Sequence, residues 1–244
     1  MTFDRALGGP LMIAAGIAIG GFLAGNGIAR VRDSDRFVTV KGISEREARA
    51  DLAIWPLRLV AADNDLSRAH AQLQANVART RQFLANQRID TLQSELQDFS
   101  VQDAFTNQYG AAQNVSSRYV IHQTIVVRST RPDLVLAASQ RVAELVSAGV
   151  VLSSGGEYGN GGPTFIFTGL NKLKPEMIAE ATARAREAAQ QFARDAQSDL
   201  GGIRRANQGV FEILPRDQAQ GITEASQVVK NVRVVTTVEY LLDR

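Results

Sequence analysis

Between Lys172 and Gly209, in KLKPEMIAEATARAREAAQQFARDAQSDLGGIRRANQG, the apolar residues Ile178, Ala181, Ala185, Ala188/Ala189, Phe192 and Ala196 recur at helical spacing. Pro175 suits a first helical turn and Gly201 a left-handed stop, so the spacing predicts a helix between them. Its apolar stripe is mostly alanine, which lets a helix lie close against a flat partner, and a β-sheet is the expected one. Glu180 and Arg184, four apart, join Arg186, Glu187 and Arg194 on a solvated opposite face.

Earlier, the period alternates between two and 3.6. FVTVKGI (37–43) alternates as a strand, and the SEREARAD that follows reads as a connection with a capping-box pair, Ser44 and Glu47. ADLAIWPLRLVAAD (50–63) alternates Ala53, Trp55, Leu57 and Leu59 against Ile54, Arg58 and Val60, with Pro56 pointing to an edge or a bulge. Leu66, Ala69, Leu73, Val77, Thr80 and Leu84 draw an amphipathic helix over 64–87, capped by Asn64 or Asp63. Residues 92–107 and RYVIHQTIVVRS (118–129), joined by a Gly/Asn/Ser-rich loop, read as a long hairpin. A second helix is expected over 132–147, with Val135, Ala138, Val142, Leu145 and Val146 inward. VFEILPRD (210–217) is a strand ended by Pro215. KNVRVVTTVEYLLD (230–243) is the best strand in the chain, with apolar residues on both faces and therefore a central position.

At the N-terminus, Ala6–Ala29 carries no charge. As a helix its 24 residues would reach ~36 Å, against ~30 Å of hydrocarbon. Residues 1–29 therefore read as a transmembrane anchor, with Gly16/Gly20 and Gly21/Gly25 in small-xxx-small spacing for helix packing. The competing reading is a signal peptide cleaved after the small-x-small Gly27-Ile28-Ala29; the length favours the anchor. RVRDSDR (30–36) is a charged linker. Arg30, Arg32 and Arg36 after the span outnumber Arg5 before it, which by charge alone would put the large domain in the cytoplasm.

Composition narrows the chemistry. The 244 residues have a net charge of +2 and a pI near 9.1, and only four of the 27 basic residues are lysine. Those charges are spread among the acids; Arg204–Arg205 and Arg30-Val-Arg32 are the nearest thing to a basic cluster, so no nucleic-acid partner is expected. The absence of cysteine removes disulfides, thiol catalysis and zinc–thiolate sites together. Only His70 and His122 could serve a Ser–His–acid site, and no Gly-x-Ser-x-Gly turn occurs. His70 falls on the polar flank of its helix and His122 on the polar side of a strand. Asp98 and Asp103 are the one paired-carboxylate candidate. GGEYGNGGP (155–163) is glycine-rich, but strand-like sequence follows it, so the helix N-terminus needed to hold a phosphate is missing. Asn114-Val-Ser116 matches a sequon that matters only in a eukaryotic secretory setting. No catalytic, cofactor-binding or metal-binding set is expected.

The element order β-β-α-β-β-α-β-α-β-β, with VTVKGISEREARADLAIWPL, RYVIHQTIVVR, the Ala-rich AEATARAREAAQQFARDAQSDLGGI and the terminal VRVVTTVEYLL, resembles the SIMPL domain family over about residues 37–242. Ala50-Asp51 stands where that family commonly has Pro-Asp. The resemblance implies an α+β domain over 37–244: a mixed or antiparallel sheet with hairpins, covered by three main helices, after one N-terminal transmembrane helix. It also implies a bacterial inner-membrane protein, single-pass or cleaved, with the soluble domain in the periplasm. Family members often self-associate and are linked to envelope or oxidative stress without an established reaction. The expected role is a non-enzymatic, membrane-tethered homo-oligomer. The alternatives are a small-ligand or peptide binder using the Tyr158 loop and exposed strand edges, or a hydrolase.

Overall fold

The computed structural model describes residues 14–22, 36–90, 94–105, 117–153 and 161–243. Residues 14–22 are helical (α1). The elements that follow are β1 (Phe37–Arg49), β2 (Leu52–Asp63), α2 (Leu66–Asn86), β3 (Ser94–Asp103), β4 (Tyr119–Ser129), α3 (Pro132–Gln140), α4 (Ala143–Ser147), β5 (Val151–Leu152), β6 (Thr164–Ile166), α5 (Leu170–Asp195), β7 (Asp199–Gln208), β8 (Glu212–Pro215) and β9 (Val229–Asp243). Two antiparallel sheets replace the single one expected. They belong to two compact units, neither a continuous stretch: Met1–Glu45 with Lys174–Glu212 and Arg233–Arg244, and Arg46–Leu173 with Ile213–Val232.

The first unit is built around β9, which lies between β1 and β7 as its two-sided apolar pattern requires. α5 covers one face of this sheet. Its buried stripe is Met177, Ala181, Ala185, Ala189 and Ala193, a spacing of four; Phe192, expected inward, is 56% exposed, and Ala196 is exposed as well. Ala185 and Ala189 meet Val40, Val238 and Tyr240. A buried alanine methyl contributes only about 0.8 kcal/mol. What alanine supplies is closeness: a Cβ on Gly42 of β1 would overlap the carbonyl of Ala181 and sit 2.5 Å from the Ala185 nitrogen.

Three expectations fail here for physical reasons. α5 starts at Leu170, so Pro175 lies inside the helix, not in its first turn. Its stop is Gln197 (φ 52°), where the Ser198 N–H reaches the Ala193 carbonyl at 2.9 Å in a Schellman closure. Gly201 instead lies in β7, a strand the sequence pattern hides because two irregularities in its pairing with β9 break the alternation. Third, SEREARAD continues β1 to Arg49, and the Ser44 hydroxyl, 1% exposed, donates to Glu180 Oε2 at 2.9 Å instead of capping a turn.

The second unit has the order β3-β4-β2-β5, with β6 also on β2. Trp55, Leu57, Leu59, Ile121, Ile125 and Val127 face a core closed by Leu73, Val77 and Leu84 of α2 and by Val135, Ala138 and Leu145. The expected hairpin is present as β3–β4, antiparallel. Pro56 falls in the interval between β6, which pairs with Leu52–Ile54, and β5, which pairs with Leu59–Val60. Its missing N–H therefore costs little. The helix expected over 132–147 is broken at Arg141–Val142 into α3 and α4, leaving Val146 60% exposed. α2 matches its expected span, but its N-cap is Asp65, whose carboxylate accepts from the Arg68 N–H at 3.0 Å.

Candidate functional site

The residues singled out by the sequence do not converge. Gly16, Gly20 and Gly21 lie in α1 with open space where a Cβ would be; Gly25 is outside the described residues. No helix among the described residues is long and apolar enough to cross a membrane. His70 is exposed, its Nε2 3.4 Å from the Gln74 amide nitrogen. Asp98 takes a left-handed φ of 53° at the irregularity of β3. Tyr158 and most of the glycine-rich loop lie outside the described residues, as does Asn114. Among the described residues there is no cluster of three or more His, Asp and Glu side chains that could hold a metal.

Asp103 belongs to a knot at the loop end of the β3–β4 hairpin. Arg118 Nη2 lies 3.0 Å from Asp103 Oδ2, and the Asp103 carboxylate also accepts from the Phe105 N–H at 3.0 Å. The same guanidinium lies over the rings of Tyr119 (4.8 Å) and Phe105 (5.5 Å). The hydrogen bond from Arg118, then that of Phe105, holds the Asp103 carboxyl below the usual range. Asn64 joins this knot by accepting from the Arg118 N–H at 2.9 Å.

Two further charged residues have structural roles that the sequence reading did not assign. Asp51, of the Ala50-Asp51 pair that stands where the family commonly has Pro-Asp, accepts from both the N–H and the hydroxyl of Thr168 at 2.9 Å, fastening the chain after β6 to the start of β2. Lys230 is fully buried: its Nζ donates to the Phe165 carbonyl at 2.8 Å, to the Glu224 carbonyl, and to Glu224 Oε1 at 2.5 Å. Three donors meet three acceptors, as a structural cation requires. Parity could have found it, since Lys230 shares the buried face with Val232 and Val234.

What the structure does present is surface. On the face of the second unit's sheet opposite its core, Pro56 stands beside Val126, Ala62 beside Val120, and Val60 between His122 and Val151. None of Ile54, Pro56, Val60, Val120 or Val126 belongs to the core cluster that the helices close. Val151 is 55% exposed. Along β3, Leu96, Phe99 and Val101 are all about half exposed. On the first unit, Phe37, Arg204, Arg205 and Glu239 line an open cleft of about 420 Å³, with the Arg204 guanidinium 4.3 Å from the Phe37 ring centre.

No match to a curated protein was found. A family model does match over residues 38–240, spanning both units and described as SIMPL, a protein of unknown function (DUF541). The chain belongs to the SIMPL family.

Proposed function

We propose that this chain is a non-enzymatic, membrane-tethered envelope protein that self-associates. The observation that carries the reading is the set of apolar side chains on the face of the second unit's sheet opposite the core that the helices close. An antiparallel sheet with one face in a core normally shows a polar alternation on the other. Here that other face carries half-buried Ile54, Pro56, Val60, Val120 and Val126 and exposed Val151, interspersed with Arg58, His122, Thr124 and Arg128. Apolar side chains left outside the core on a sheet face support protein–protein contact there, with a second sheet as the natural cover. The uncharged stretch Ala6–Ala29 supports the tether, and the family resemblance supplies the periplasmic setting and the link to envelope or oxidative stress.

The test is fractionation of bacteria expressing the full chain, with crosslinking before lysis. Recovery in the inner-membrane fraction, with crosslinked bands at multiples of the 26.4 kDa chain, is the expected result. A chain recovered only in soluble fractions and only as a monomer would overturn the proposal.

A further inference from the structure

Edge strands usually carry devices that stop other chains from pairing with them. β3 has a register break between Gln97 and Ser100 with Asp98 at φ 53°, and β7 has two such breaks. β1 is the remaining edge of the first unit's sheet, and its buried and exposed positions alternate without interruption from Phe37 through Glu45. The Leu242 N–H donates to the Arg36 carbonyl at 2.9 Å, so the polar groups of Arg36 face β9. By alternation those of Val38 and Val40 do too, which leaves the N–H and C=O groups of Phe37, Thr39, Lys41 and Ile43 directed to the open side.

We infer that this open edge pairs with the β1 edge of a second copy, antiparallel, about a twofold axis at Val40. This rests on the self-association proposed above and names its site. The register follows from the sequence. Centring on Val40 sets Phe37 opposite the second copy's Ile43 and Thr39 opposite its Lys41, twice each by symmetry, and every one of those residues directs its hydrogen-bonding groups outward. Phe37 and Ile43, 42% and 43% exposed in the single chain, then cover each other. Moving the axis to Lys41 would oppose two lysines, and moving it to Thr39 would set Phe37 against Lys41. Moving it to Ile43 would set Lys41 against Glu45, a carboxylate that Arg233 of the same chain already holds at 3.2 Å, and Phe37 against Arg49, which Asp133 holds at 2.6 Å.

Because the chain has no cysteine, single introduced thiols report the register directly. Full-length Thr39→Cys and Lys41→Cys chains, differently tagged, are mixed in mild detergent and oxidised. Directly opposed hydrogen-bonded residues sit about 5.5 Å apart between Cα atoms, within disulfide reach, and diagonal ones about 7–8 Å. The mixed Thr39→Cys/Lys41→Cys dimer is therefore expected in several-fold excess over either self-pair. Ile43→Glu, at an exposed position, is expected to weaken association at least ten-fold while the melting temperature at dilutions where both chains are dissociated is unchanged. An oligomer that gives no mixed crosslink and ignores Ile43→Glu would overturn this edge while leaving self-association standing. A chain that stays monomeric at every concentration would overturn both.

Discussion

Gly42 and Lys230 each hold a close contact, one by having no side chain and the other by donating three hydrogen bonds. Gly42 is where α5 comes closest to β1, so Gly42→Ala puts a methyl into backbone atoms that a helix cannot easily move. Overpacking of this kind costs about 1–3 kcal/mol or more; the change is expected to lower the thermal midpoint of the far-UV circular dichroism signal by several degrees. Lys230→Met leaves the carbonyls of Phe165 and Glu224 and the Glu224 carboxylate without their donor, at an expected cost of about 3 kcal/mol. Trp55, the single tryptophan and buried in the same unit, gives a fluorescence readout of that loss. Asp103 adds a pH dependence. Its pKa is depressed in the fold, so its pairing with Arg118 is present above the unfolded value of about 3.9 and is lost as pH falls through the lower folded value. Amide exchange at the loop end of the β3–β4 hairpin is expected to speed up below about pH 4 relative to Asp103→Asn, in which that titration is absent. Of these residues, the sequence marks Asp103 only as an acid near Asp98, because its partner Arg118 becomes a neighbour only after the hairpin closes.

At the scale of elements, legibility follows periodicity. α2, β4 and β9 keep an unbroken period and were readable nearly to their ends. β7 was not, since paired glycines and paired arginines, LGGIRR, sit where its bulges fall. The far half of β1 was missed because one of its faces meets water, so EREAR looks like a polar connection. The stop of α5 was misplaced because the pattern offers a glycine at Gly201, whereas the chain turns at Gln197. α2 does the same at Arg88 (φ 60°), closed by the Ile89 N–H on the Leu84 carbonyl at 3.0 Å, while the α4 closure uses Gly149 in the same conformation. A left-handed non-glycine costs about 1–2 kcal/mol, and glycine's extra unfolded freedom gives back about 0.5–1. Arg88→Gly and Gln197→Gly should each stabilise by about 0.5–1 kcal/mol in chemical denaturation, against the usual expectation for glycine in place of a larger residue.

For the whole molecule, the family, the α+β class and the alanine-lined helix against a sheet were all accessible from pattern. The division into two units was not, because each is assembled from separated pieces of chain and hydropathy carries no record of which strands become neighbours. Nor was the apolar outer face of the second unit, since Pro56, Val60 and Val126 read as parts of well-formed strands whichever side is covered. The proposed self-association would cover these surfaces with further copies of the chain. Sedimentation velocity of the full chain in mild detergent, corrected for bound detergent and run across a hundred-fold concentration range, tests it most directly. The expected result is a protein mass at a multiple of 26.4 kDa that Ile43→Glu or Val126→Lys shifts downward. A mass of one chain throughout, unaffected by either substitution, would contradict it.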